Sequence, residues 1–159
     1  MGVEIERKFL LHKLPDSEYP QARIRQGYLS RGHTQVRVRI SDTTGFLTVK
    51  GPKEDNIRPE YEYQIPKLDA EFMLGSLCNS NPIKKTRYFV KHANHVWHVD
   101  VYEDANAPLI IAEIELKSPR ETVDVPSWVG AEVADDERFS NAHLSTHPYR
   151  SWTNAVPAG

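Results

Sequence analysis

Glu4, Glu6 and Lys8 stand at alternate positions near the start of the chain. A β-strand would turn these two carboxylates and one ammonium to the same face. Carboxylate oxygens hold hard divalent cations, and ammonium or guanidinium groups hold phosphate oxygens. The alternation recurs. Arg37 and Arg39 oppose Val36, Val38 and Ile40; Lys50 shares a face with Thr48 opposite Leu47 and Val49; Glu60, Glu62 and Gln64 alternate with Tyr61, Tyr63 and Ile65. Lys85 and Arg87 share a face, His98 goes with Asp100 opposite Trp97, Val99 and Val101, and Glu113, Glu115 and Lys117 alternate with Ala112, Ile114 and Leu116.

Strand signals that could position these residues cover 3–11, 22–31, 34–41, 46–50, 58–65, 84–92, 95–102 and 109–117. The connections are short: Gly32-His33, Asp42-Thr43-Thr44-Gly45 and Ala93-Asn94. A helix is expected over 68–77, capped by Asp69, with Phe72, Met73 and Leu77 on one face. Ser118-Pro119-Arg120-Glu121 reads as a capping-box start of a second short helix, and 136–145 as a last helix before His147-Pro148. Sequential strands pair antiparallel most easily, and eight can close into a barrel without edges.

Two readings of the charged faces compete. In an ordinary two-layer sheet they would meet water while the apolar faces packed on a core. Against this, the helical segments are few and short, and the charges cluster by sign within strands, whereas solvated faces mix signs to suit cross-strand neighbours. The sharper reading turns Glu4, Glu6, Lys8, Arg37, Arg39, Lys50, Glu60, Glu62, Lys85, Arg87, Asp100, Glu113 and Glu115 inward around a water-filled tunnel. So many charges need mutual pairing, water, a metal and an anion. A polyphosphate chelated to Mg²⁺ or Mn²⁺ suits such a lining.

The 159 residues suit one domain, and 20 basic against 22 acidic side chains speak against a general nucleic-acid or membrane-surface binder. The lone Cys78 excludes an internal disulfide framework and a cysteine metal cluster, and reads as a core thiol. No apolar run approaches a membrane span, and the N-terminus enters a charged strand rather than a signal peptide, so the expected location is cytoplasmic. His92, His95 and His98 invite a zinc hypothesis, but they straddle a hairpin turn and read as structural or solvent-exposed. Gly51-Pro52-Lys53 lacks the second glycine and following helix of a phosphate-cradling loop.

The chain resembles the CYTH superfamily, the triphosphate tunnel metalloenzymes. The resemblance rests on E-x-E-x-K at Glu4, Glu6 and Lys8, followed in order by Gln26-Gly27-Tyr28-Leu29, Arg37-Val38-Arg39, Leu47-Thr48-Val49-Lys50, Glu60-Tyr61-Glu62, Lys85-Thr86-Arg87-Tyr88, Asp100-Val101-Tyr102 and Ala112-Glu113-Ile114-Glu115. It implies a mainly β (α+β) fold, an eight-stranded antiparallel closed barrel with a few short helices. The single domain would span 1–159, a C-terminal helix near 136–145 plugging the tunnel. Hydrolysis of a small-molecule triphosphate, inorganic triphosphate first, with Mg²⁺ or Mn²⁺ would follow. Lys8, Arg37, Arg39, Lys50, Lys85, Arg87 and Arg138 would hold the substrate, with Lys8, Lys85 and Arg87 also catalytic. Glu4, Glu6, Glu60, Glu62, Asp100, Glu113 and Glu115 would supply the metal ligands and water-orienting bases. Tyr28 matches a position implicated in catalysis as a proton donor; a barrel-packing tyrosine is its alternative.

Three other functions share the tunnel. A class IV-type adenylate cyclase or a thiamine or nucleoside triphosphatase would need a ring pocket at the mouth, for which Trp97, Trp128 and Trp152 are the available indoles. A non-catalytic binder of phosphorylated ligands would need fewer carboxylates. Outward aliphatics such as Val36, Val38 and Ile114 could support a homodimer.

Overall fold

Period-two patterning over short segments joined by tight turns builds an antiparallel sheet that closes on itself. The structure, a computed structural model, describes residues 2–152; Met1 and 153–159, within the expected 1–159 domain, lie outside the described residues. The strands are β1 (Val3–Leu10), β2 (Gln21–Arg31), β3 (Gln35–Ser41), β4 (Thr44–Lys50), β5 (Ile57–Ile65), β6 (Ile83–His92), β7 (His95–Tyr102) and β8 (Ile110–Glu115). They form a closed barrel in the order β1-β5-β4-β3-β2-β6-β7-β8. Asp42 and Ala93 take φ values of 52° and 53° in the two-residue turns β3–β4 and β6–β7. Gly45 belongs to β4 rather than to the turn.

The barrel turns its charges inward, so its apolar cores lie outside the sheet, under three covers. The first is helix α1 (Lys67–Ser76), packed on Val38 and Ile40. It buries Ala70 and Leu74; of the expected apolar face Met73 packs beside them, while Phe72 and Leu77 are left 67% and 59% exposed. The helix begins earlier, after Pro66, and the face that docks is the one small enough to approach the sheet. A Cβ on Gly45 would lie 2.9 Å from Ala70 Cβ and 3.1 Å from the Ile65 carbonyl oxygen. Gly45→Ala is therefore expected to cost about 1–3 kcal/mol by displacing α1. A lowered denaturant midpoint at unchanged slope would show it; an unchanged midpoint would mean that α1 yields freely.

The second cover is residues 117–131, which place Val123, Trp128 and Val129 on Phe9, Leu11, Trp97 and Leu116. The expected helix at Ser118 does not form. Glu121 instead accepts a hydrogen bond from the Lys117 amide at 2.6 Å and approaches His95 Nε2 at 2.5 Å, which ties the segment to the β6–β7 hairpin. The third cover is the tail, whose Val133, Phe139 and Leu144 pack on Leu10, Ile83, Tyr102 and Ile111. The helix expected over 136–145 is split into a 3₁₀ turn, Glu137–Phe139, and one α turn, α2 (Asn141–Leu144). Ser140 breaks it, because its hydroxyl accepts from the His143 amide and restarts the helix.

Two of the aliphatics expected to face a second copy are spent within the chain: Val38 lies under α1, and Ile114 is in the cluster beneath 117–131. Val36 is half-buried. Cys78 is likewise half-buried, over Gly27. Among the described residues no helix is long and apolar enough to cross a membrane.

Candidate active site

The inward side chains surround a cavity of about 430 Å³. Strand order sorts them by charge. Glu113 and Glu115 on β8, Glu4 and Glu6 on β1, and Glu60 and Glu62 on β5 line one continuous wall. Lys50 on β4, Arg37 and Arg39 on β3 and Arg87 on β6 line the facing wall, with Tyr28 of β2 between them. Lys8 and Arg58 are the cations on the acidic side.

Ladder register explains most of the pairing. Lys50 lies opposite Glu60 and bridges it at 3.2 Å to Glu4 at 3.0 Å. Lys8 lies opposite Glu113, their charged atoms 3.7 Å apart. Thr48 donates to Glu62 at 2.7 Å, and Arg37 reaches the same carboxylate at 3.4 Å. Behind the basic wall, Asp100 is completely buried and accepts from Lys85 Nζ at 2.7 Å and from Arg87 at 2.7 and 2.9 Å. Burial works against the Asp100 charge, but Arg87 and Lys85 overcome it and hold its pKa far below the carboxylate range. Burial, with Arg87 and Arg39 adding repulsion, pushes Lys85 down to about 7 despite Asp100.

Glu6 breaks the pattern. It lies opposite Glu115 in the β1–β8 ladder, a like-charge pair that ordinarily destabilises a sheet. Among the described residues neither has a cation within ion-pair distance. Burial first, then repulsion from Glu113 and Glu4, pushes Glu6 up to about 7. Burial and Glu4 raise Glu115 as well, and burial and Glu60 raise Glu4 against the pull of Lys50. At Lys8, Glu113, Glu6 and Glu4 outweigh burial and hold the ammonium above its usual range.

Most of the expected lining is therefore brought together, with three corrections. Asp100, expected among the metal ligands, lies behind the wall rather than in the cavity lining and accepts from three cationic donors there. Lys85 is completely buried behind the wall and touches the cavity only through Asp100 and Arg87. Arg138 is turned away onto Asp136 at 2.7 Å, its guanidinium over Phe139 and Trp152, while Ser140, Asn141 and Ala142 of the tail reach the cavity instead. Sequence reasoning left out Gln35, Arg58 and His98 as lining residues, Thr48 as a partner of Glu62 and Arg37, and Gln26 as a partner of Arg39. Parity with Arg37, Glu60, Asp100 and Lys50 would have found all but Gln26; Asn141 has no local signal.

A closed barrel with one acidic and one basic inner wall takes a multiply charged anion together with a cation. The chain belongs to the CYTH domain family, whose model matches residues 2–146. It is 38% identical to an inorganic triphosphatase of Acetivibrio thermocellus over 154 residues, 96% of this chain and 99% of that protein. It is 35% identical to an inorganic triphosphatase of Nitrosomonas europaea over 149 residues, 90% of this chain and 97% of that one. The crystal structure of an inorganic triphosphatase superposes with a TM-score of 0.67 at 32% identity, covering 99% of both chains.

Family membership implies a divalent metal. Among the described residues no three acidic, histidine or cysteine side chains are drawn into a ready-made metal cage. The acidic wall nonetheless fits such an ion. Its donors are all carboxylate oxygens, Glu6 faces Glu115 without a cation, and Mg²⁺ is commonly held by one or two carboxylates plus phosphate and water. The Glu6 carboxyl, near 4.5 ordinarily and about 7 here, stabilises the fold fully below pH 4.5, a contribution lost as pH rises through 7. Metal-free protein is thus expected to lose thermal stability over that window, and Mg²⁺ to restore it above pH 7. Unfolding curves in chelator and in Mg²⁺ check this; a pH-independent chelated curve would refute it.

Proposed function

We propose that the protein hydrolyses inorganic triphosphate to pyrophosphate and phosphate in a reaction that depends on Mg²⁺ or Mn²⁺. The observation that carries the proposal is the apposition of the β8–β1–β5 acidic wall to the β4–β3–β6 basic wall across one cavity. Glu4, Glu6, Glu60 and Glu115 would hold the metal, Glu4 and Glu60 sharing Lys50 between them, with Glu62 and Glu113 beside them paired to Arg37 and Lys8. A divalent ion held there would supply charge neutralisation at phosphate oxygens and acidify a water bound to it.

The chain's own residues do the rest. Arg37, Arg39, Lys50, Arg87 and Lys8 hold the phosphates in line and offset charge on the transferred group. Glu60 or Glu115 orients the attacking water and accepts its proton as oxygen bonds to the terminal phosphorus. The bond from that phosphorus to the bridging oxygen breaks, and the pyrophosphate oxygen takes a proton from Tyr28, which lines the cavity although only 4% exposed. Lys85 acts through Asp100 by holding Arg87 in place.

The lining favours a substrate without a ring. Trp97 and Trp128 pack on one another outside the barrel, 5.8 Å apart, and Trp152 packs on Phe139. None of the three lines the cavity. Phosphate release from inorganic triphosphate, ATP and thiamine triphosphate, with Mg²⁺, Mn²⁺ or excess chelator, tests the reading. Fast metal-dependent release from inorganic triphosphate alone is the expected result. Preference for ATP would point to a nucleotide enzyme, and calorimetric binding without release to a non-catalytic tunnel.

A further inference from the structure

Gln26 of β2 is completely buried, one of the few polar side chains so placed. It stands opposite Arg39 in the β2–β3 ladder, and its Oε1 accepts a hydrogen bond from Arg39 Nε at 2.8 Å. Among the described residues its amide nitrogen has no partner. A buried polar group that leaves one donor unsatisfied is a poor choice for stability alone.

Arg39 is equally unusual. Lys8, Arg37, Lys50 and Arg87 each have a carboxylate within ion-pair distance. Arg58 has its guanidinium taken by the Gly51 carbonyl at 2.6 and 3.0 Å. Arg39 has neither: among the described residues its partner is Gln26, and that contact occupies Nε. Its two terminal nitrogens remain free on a side chain that lines the cavity. Burial, with Arg37 and Arg87 beside it, pushes its pKa down to about 9, so an anion placed there would relieve strain on the charge.

We propose that Gln26 is a positioning residue for substrate binding. Its neutral amide grips the Nε edge of Arg39 and so presents the two terminal nitrogens as an open fork to one phosphate group. This rests on the triphosphate reading above. A neutral acceptor is essential to the device. Glutamate at this position would pair with Arg39 and cancel the charge the phosphate needs, and an apolar residue would leave the long side chain free to turn.

The two alternatives give the test. Phosphate release from inorganic triphosphate with Mg²⁺ is measured for wild type, Gln26→Glu, Gln26→Met and Arg39→Gln, and for each Gln26 variant combined with Arg39→Gln, alongside thermal unfolding. Gln26→Glu is expected to keep or raise the unfolding temperature while KM rises about tenfold or more, with a smaller change in kcat, because the fork is lost before chemistry begins. Gln26→Met, close in volume and without either polar atom, is expected to raise KM likewise, and decides the matter if the glutamate variant does not fold. In the Arg39→Gln background neither substitution should change KM further, because the two residues act as one. Wild-type KM in the folded variants, or the same fold-change in both backgrounds, would overturn the assignment. Absence of phosphate release from wild type would remove the triphosphatase reading and this inference with it, whereas wild-type turnover with unaffected variants removes the inference alone.

Discussion

Replacing Asp100 with asparagine is expected to cost about 3–5 kcal/mol of folding stability, the usual penalty for stripping the partner from a buried charge. Asp100 and Lys85 are both fully buried, and Arg87 is nearly so. The carboxylate takes three charge-assisted hydrogen bonds from them, at 2.7, 2.7 and 2.9 Å. Asparagine keeps the shape but removes the charge and turns an N–H₂ group toward the donors. The melting temperature should fall by about 6–20 °C on that account. Activity should fall too, because Arg87 loses the contact that holds it at the cavity wall.

The pH dependence carries its own sign. An acid held below its ordinary value, 3.8 for Asp100, stabilises the fold above that pH, and the contribution is lost as pH drops further. The asparagine variant should therefore lose less stability than wild type on acidification below about pH 4. Adding Lys85→Met should recover part of the loss, since it removes one of the two orphaned cations. An unfolding midpoint within error of wild type would show that Arg87 and Lys85 find other partners and that Asp100 is not their anchor.

The second large effect is on turnover with the fold intact. Glu4→Gln and Glu115→Gln are each expected to lose most activity, about 100-fold or more, as when a single group acting on the transition state is removed. Both side chains line the cavity, apart from the apolar clusters. Glu4 is held 3.0 Å from Lys50, and Glu115 faces Glu6. Glutamine preserves volume and one oxygen, so what it removes is negative charge. Part of the lost rate should return at higher Mg²⁺, because a weakened oxygen donor set is filled by mass action. Wild-type turnover in both variants, with unchanged metal requirement, would sink the assignment of this wall to metal binding.

Most of the inward lining was legible because side chains alternate along any strand stretch without a bulge. Regular pairing keeps Glu6 and Lys8 on one face, and likewise Arg37 with Arg39 and Glu113 with Glu115. Eight such strands joined by short turns also left few topologies open. What parity cannot supply is phase on a helix or neighbours across the barrel. The docking face of α1 was decided by Gly45, whose missing side chain lets Ala70 in and leaves Phe72 outside. The start of a helix at Ser118 was overridden because Glu121 found His95, a partner 26 residues away.

The sequence by itself determined which strand faces carry the charged side chains, and hence most of the chemistry available to the tunnel. The tertiary structure decided what each of them does. Strand order gathered the carboxylates of β8, β1 and β5 on one wall, and burial paired Asp100 with Lys85 and Arg87 behind the other. Closure of the barrel set Glu6 against Glu115 and, among the described residues, left Arg39 with only the amide of Gln26. Alternation is a local property of the backbone, whereas charge state and pairing depend on distance and solvent access, which exist only once the sheet has closed.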